Sequence, residues 1–327
     1  MKVRSHKEGS VQQKKRSTKC AGIDVGKRWL DVAVHGGEGA VRVGNDASGH
    51  RQLIGWLGER GVTRVGLEAS GGYERDVRSA LEAAGFEVVV HQPLEVRLFA
   101  RLKRLKAKND RIDAVLIAAA TSQVDAVKAA ADPRLQELAD RLTAYDFVSD
   151  QLAELKTFME HRRPKDVAQA LRAQARSLKA LKARFAADVV AAIKSQPDLL
   201  EKHRLLMSLC GVGPIVAATL VVRMPELGQM SRGQAAALLG VAPYDRDSGQ
   251  FKGLRFISGG RRRPRRMLYL AALSARRHEP AFRAMADRLA ARGKPNKVII
   301  VAVMRRLIEA ANLVLARGQP WARTAPA

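Results

Sequence analysis

Four carboxylates stand in settings that suit phosphoryl-transfer chemistry. Asp24 lies inside the apolar run Ala21-Gly22-Ile23-Asp24-Val25, where strand alternation sets it on the face opposite Ile23 and Val25. An acid in mid-strand is costly unless it is paired or metal-bound. Glu68 closes Val65-Gly66-Leu67-Glu68, at the strand end where α/β sheets deliver site residues. Asp110 and Asp113 open a predicted helix in Lys108-Asn109-Asp110-Arg111-Ile112-Asp113-Ala114, and their spacing puts both on one helical face. Either of these two alone would also serve as a helix N-terminal charge. As a set, two strands and one helix face could hold two Mg²⁺ (or Mn²⁺) ions, which take oxygen ligands and leave positions for phosphate and water. Such an ion pair stabilises both the attacking and the leaving oxygen of a phosphodiester. Asp31, in the same strand region, and Glu74 and Asp76, which suit a first helical turn, are left outside the set.

The elements that must position these acids follow from the hydrophobic pattern. Short apolar runs at 20–25, 29–34 and 40–43, separated by glycines, predict an antiparallel three-strand meander. Leu53, Ile54, Trp56 and Leu57 predict a helix, 62–67 a strand, 73–84 a helix, and 86–90 a strand followed by a helix from Pro93. Three antiparallel strands and then alternating helix and strand is the order of an α/β ribonuclease-H-like (RuvC-like) domain, expected over residues 20–130. Residues 1–19 predict a disordered basic arm. Apolar residues recur at three and four through 134–196, with a break at His161-Arg162-Arg163-Pro164, predicting a long antiparallel helical hairpin or coiled coil over 131–200. Residues 201–318 predict a mostly α C-terminal domain, and 319–327 a short tail. That domain opens with helix, hairpin and helix around Gly211-Val212-Gly213-Pro214, where Gly211 and Gly213 could admit a phosphate backbone as readily as form a plain helix–helix turn.

Charge narrows the partner. The chain has 327 residues, 58 Lys and Arg against 32 Asp and Glu, and a net charge of +26. Three segments, 1–20, 97–111 and 252–266, each carry seven basic groups and at most one acid, and so hold most of the excess. Dense clusters of this kind suit a phosphate backbone. The candidate contacts are Arg101, Lys103, Arg104, Lys106, Lys108, Lys252, Arg255, Arg261, Arg262, Arg263, Arg265 and Arg266, with Gly211 and Gly213. Aromatic residues are only 5%, so base stacking is not expected to be the main contact mode. No window is long and apolar enough for a membrane span, so no membrane partner is expected. Cys20 and Cys210 are too few for a disulfide framework or a four-cysteine zinc site.

Two motif sets in order along residues 20–316 resemble the DEDD insertion-sequence transposases. The first set is Gly22-Ile23-Asp24-Val25-Gly26-Lys27, Leu67-Glu68-Ala69-Ser70-Gly71 and 108–114; the second is Leu209-Cys210-Gly211-Val212-Gly213-Pro214, Leu239-Gly240-Val241-Ala242-Pro243, Asp247-Ser248-Gly249 and the arginines of 261–266. The resemblance implies a RuvC-like domain with a separate serine-bearing domain, and relatedness to pilin-gene invertases. It implies that Asp24, Glu68, Asp110 and Asp113 form the metal tetrad and that Ser248 becomes covalently joined to DNA. It further implies donor and target DNA as substrates, a guide (bridge) RNA pairing with both, a homo-oligomer (dimer or tetramer), and a cytoplasmic, nucleoid-associated protein. Many relatives carry a second Ser or a His just before the Ser-Gly pair, where Arg246 and Asp247 stand in this chain. A metal-dependent Holliday-junction-resolvase-type nuclease, in which water attacks, and a purely architectural nucleic-acid-binding protein are the competing expectations.

Overall fold

The computed structural model describes residues 18–37, 39–104, 110–125, 132–161, 163–245, 253 and 255–322; the side chains of Asp110 and Arg111 are not among the described parts. Residues 1–17 of the arm predicted over 1–19, and Lys106, Lys108, Ser248 and Lys252, therefore lie outside the described residues. The chain divides into two compact units at Ala130.

The first unit is built on a mixed five-stranded sheet. Strands β1 (Cys20–Val25), β2 (Trp29–Val34) and β3 (Ala40–Gly44) form the expected antiparallel meander, and α1 (Ala47–Glu59) follows. Strands β4 (Arg64–Glu68) and β5 (Glu87–His91), joined through α2 (Arg75–Ala83), add in parallel on the other side of β1. The order β3-β2-β1-β4-β5 is the ribonuclease-H-like arrangement. Helices α3 (Pro93–Leu102) and α4 (Asp110–Ser122) complete the unit.

Alternation divides the sheet. Ala21, Ile23, Val25, Leu30, Val32, Val65 and Leu67 face a core shared with Leu53 and Leu57 of α1 and Val77 and Leu81 of α2. The opposite face is covered by α4, and two strand glycines make this possible. A Cβ on Gly22 would overlap the backbone of Ala114 and Ala118, and one on Gly66 would overlap the Thr121 hydroxyl. Glycine in a strand interior often marks such a close approach. Gly22→Val is therefore expected to destabilise the first unit by about 3 kcal/mol, because the obstruction is helix backbone that cannot rotate away. Urea unfolding of the full chain checks this; an unchanged midpoint would show that α4 tolerates displacement.

The second unit is helical. It runs α5 (Pro133–Met159), α6 (Lys165–Lys194), α7 (Pro197–Met207), α8 (Pro214–Arg223) and α9 (Arg232–Leu239), then a two-stranded ribbon of β6 (Pro243–Tyr244) and β7 (Phe256–Ile257), then α10 (Arg262–His278), α11 (Pro280–Ala291) and α12 (Asn296–Arg317). The long pair α5 and α6 breaks where the sequence predicts, and it packs into the same compact unit as the helices after it. Leu138, Leu142, Val189 and Ile193 at the base of the pair share one core with α8, which is buried from Val216 to Val222. Among the described residues no helix is long and apolar enough to cross a membrane.

One buried carboxylate of this unit is held by two arginines. Glu309, on α12, accepts from Arg232 at 2.7 Å and Arg305 at 3.1 Å. Burial pushes its carboxyl up, but the two arginines outweigh burial and hold it below the usual range. A folded-state pKa below the unfolded one contributes stability above the ordinary Glu range near ~4.3, and that stability is lost as pH falls through the folded value. Glu309→Gln should accordingly lower Tm at neutral pH, with the gap from the parent closing at pH below about 4. Parallel Tm curves across that range would contradict the assignment.

Candidate active site

Sheet register sets the level of the acids. Ile23 pairs with Leu67 in the parallel β1–β4 ladder, so the next step brings Asp24 beside Glu68. Asp24 pairs with Asp31 on β2, Asp31 with Arg42 on β3, and Glu68 with His91 on β5. One polar row thus crosses all five strands on the face covered by α4: Arg42, Asp31, Asp24, Glu68, His91. Hydrogen bonds hold the row at both ends. Arg42 donates twice to the Asp31 carboxylate, at 2.9 and 2.8 Å, and His91 Nε2 lies 2.9 Å from the Thr121 hydroxyl on α4. Asp24 and Glu68 are both half-buried in the middle of the row.

The direction of α4 supplies the third side. Arg64, at the start of β4, donates to the Val124 carbonyl just past α4, while Thr121 lies over Gly66 and Ala114 and Ala118 lie over Gly22. The helix therefore runs antiparallel to β1 and β4, and its N-terminus points to their C-terminal ends. Asp24 is two residues, about 7 Å, beyond Gly22 along β1. The same distance along α4, at ~1.5 Å per residue, is four to five residues, which brings the turn of Asp110 and Asp113 to the level of Asp24. Asp113 is half-buried there; the Asp110 side chain is outside the described parts.

Two further groups steady the rim: Asn45, which no sequence pattern singled out, and Glu74, expected only as a first-turn helix acid. Asn45 Nδ2 donates to the carbonyls of Gly26 and Tyr73, both at 3.0 Å, tying the β1–β2 turn to the loop after β4. The Glu74 carboxylate accepts from the backbone N–H groups of Ser70 and Gly72 and from the Ser70 hydroxyl, at 3.0, 2.9 and 3.0 Å. Burial raises the Glu74 pKa, but these hydrogen bonds outweigh it and hold the carboxyl below its usual range. Glu74 is thereby engaged in shaping the loop behind Glu68.

Oxygen donors alone, brought to one level at a strand-end rim, fit a hard divalent cation. Among the described residues, no three His, Cys, Asp or Glu side chains are already gathered about one metal-sized point.

The basic candidates divide. Arg101, Lys103 and Arg104 are exposed at and beyond the end of α3. In the second unit Arg261 makes two 2.6 Å bonds to Glu226, Arg263 donates to Asp150 at 2.7 Å, Arg266 also pairs with Asp150, and Arg265 donates to the Gly259 carbonyl at 2.7 Å. These four arginines fasten the start of α10 to α5 and to the loops beside it. Arg262 is exposed, and Arg255 pairs with Asp245 at 2.5 Å across the mouth of the β6–β7 ribbon. The cations in the first turn of α10 oppose the helix dipole, so an anion there is favoured, and Asp150 is one. Gly211 packs against the α10 backbone at Ala271 and Ala275, and Gly213 caps α8 with open space at its α-carbon.

Topology and carboxylate level together define a ribonuclease-H-like domain fused to a helical second unit. Family comparison carries the assignment further. A DEDD-type IS110 transposase model matches residues 21–158, and the model for the transposase IS116/IS110/IS902 family matches residues 203–287. The chain belongs to this transposase family and is an enzyme acting on DNA. It is similar to the pilin gene-inverting protein of Moraxella bovis, at 23% identity over 92% of this chain and 96% of that protein. It also resembles an IS110 insertion-element protein of Streptomyces coelicolor, at 31% identity over 39% of this chain and 33% of that protein. Among solved structures, T. thermophilus RuvC in complex with a Holliday junction substrate matches with a TM-score of 0.26 and 17% identity, covering 32% of this chain and 91% of that one.

Proposed function

We propose that this transposase cuts and rejoins donor and target DNA through a covalent serine–DNA intermediate. In this reading Asp24, Glu68, Asp110 and Asp113 hold one or two Mg²⁺ ions, and a structured noncoding RNA from the element's own ends pairs with both DNAs. The observation that supports this reading is the level Asp24 and Glu68 share in the β1–β4 ladder, with the first turn of the antiparallel α4 at the same height. Bound there, Mg²⁺ would supply Lewis-acid stabilisation of charge on a phosphate.

Ser248 carries the covalent step. Its hydroxyl oxygen attacks phosphorus and forms a new P–O bond. The strand's own P–O bond breaks, the serine loses its proton, and the departing strand oxygen gains one. A hydroxyl end of the partner strand then attacks the phosphoserine and releases the serine unchanged. The number of phosphodiester bonds is conserved, so no energy source is needed. Lys252 and Arg255 would offset charge on the phosphate as it develops. Because serine and carboxylates belong to different units, a dimer or tetramer in which one copy completes another's site fits the reading.

The test combines the protein with Mg²⁺, RNA from the element ends, and donor and target DNA, and looks for a protein–DNA adduct stable to denaturation. Cleavage with no adduct at any time would favour water as the nucleophile and overturn the serine mechanism.

A further inference from the structure

We infer that Trp29 is a stacking contact for an unpaired base of the DNA strand whose phosphate lies at Asp24 and Glu68. The inference rests on the carboxylate level being the reacting site. Trp29 opens β2, two residues from Asp31, and alternation puts it on the same sheet face as Asp31 and Asp24. It stands about 7 Å beyond the carboxylate row toward the rim. Helix α4, which covers this face, begins at the level of Asp24, so Trp29 lies past its end. This explains why the indole is 54% exposed while the rest of β2 is buried.

An exposed tryptophan exacts a hydration cost that the fold does not recover, and cations stand beside it along the chain and one strand away. Lys27 and Arg28 precede it, both exposed, and Arg42, paired with Asp31, has a half-exposed side chain. The turn that presents them is fixed. Gly26 N–H donates to the Trp29 carbonyl, Asn45 N–H donates to the Arg28 carbonyl, and both bonds are 2.9 Å. Cations around a rigidly mounted π-face suit phosphate and base of one nucleotide, and a base can meet the ring only where it is unpaired. Separation of the strands near the cut exposes such bases. The low overall aromatic content does not count against one stacking contact at the site itself.

The experiment measures binding of the full chain to a fluorescently labelled single-stranded oligonucleotide of mixed sequence and to its duplex, in EDTA. Trp29→Ala is expected to weaken single-strand binding by roughly 5- to 100-fold and duplex binding by less than about twofold. Trp29→Phe should restore most of the single-strand affinity. Unchanged single-strand affinity in Trp29→Ala, or equal losses on both DNAs, would overturn the proposal. So would an indole shielded from acrylamide in the free protein, measured with Trp56 and Trp321 replaced by Phe, since Trp29 would then already be covered. Without metal, base contact is read apart from cleavage. Unchanged cleavage in Asp24→Asn together with the expected Trp29 effect would sink the carboxylate site, whereas lost cleavage in Asp24→Asn with no Trp29 effect would sink the stacking contact alone.

Discussion

Ser248→Ala is expected to eliminate both the covalent protein–DNA adduct and strand exchange, lowering turnover by roughly 10⁴-fold or more. The magnitude follows from chemistry. Alanine has no oxygen to form the phosphodiester, so the reaction would have to recruit water, and water cannot hold the cut strand for rejoining. Substrate binding should persist, since the exposed cations Arg101, Lys103, Arg104 and Arg262 do not depend on the serine. Denaturing electrophoresis with labelled DNA gives the answer directly. Recombination at normal rates in the variant would exclude the serine as nucleophile. Cleavage without rejoining would assign the chain a nuclease chemistry.

Asp24→Asn should have the second largest effect, a loss of roughly 10³-fold or more in cleavage, because a carboxylate ligand is worth several kcal/mol of transition-state charge stabilisation. Asparagine keeps the size and leaves α4 seated on Gly22, so the fold should survive. Asp31→Asn is the matched control. Asp31 faces Asp24 across the ladder, but both its oxygens are engaged by Arg42. Its loss should cost no more than about tenfold, within the range of a buried hydrogen-bonded pair. The discriminating readouts are single-turnover cleavage and Mn²⁺ binding followed by electron paramagnetic resonance. Equal effects at the two positions would mean that the row acts as one electrostatic unit and that Asp24 has no special place in it.

Much of the first unit was legible because its pattern is local. The meander, the two parallel strands and the helix between them follow from runs of alternating valine, isoleucine and leucine interrupted by glycine. Asp24 drew notice as a charge where alternation alone would tolerate none without a partner. Glu74 shows the limit. From sequence it is an ordinary first-turn acid, and only the folded loop shows it accepting three hydrogen bonds behind Glu68. The arginines of 261–266 show it again. As a run they look like a uniform phosphate track, yet four of them are fastened to Glu226, Asp150 and loop carbonyls. Two of those partners lie far away in sequence, and composition carries no record of them.

The sequence by itself named the candidates and the family of enzyme they belong to. Four acids, a serine beside a glycine and concentrated positive charge are properties of residue type and order, so they are readable along the chain. Tertiary structure alone decided which acids share a level. That outcome depends on the ladder register, where a one-residue slip would turn Asp24 to the other face. It depends also on the antiparallel run of α4, which Gly22 and Gly66 permit by leaving no side chain between strand and helix. Both are matters of contact between residues distant in sequence, and a linear pattern can name the candidates without setting the distance between them.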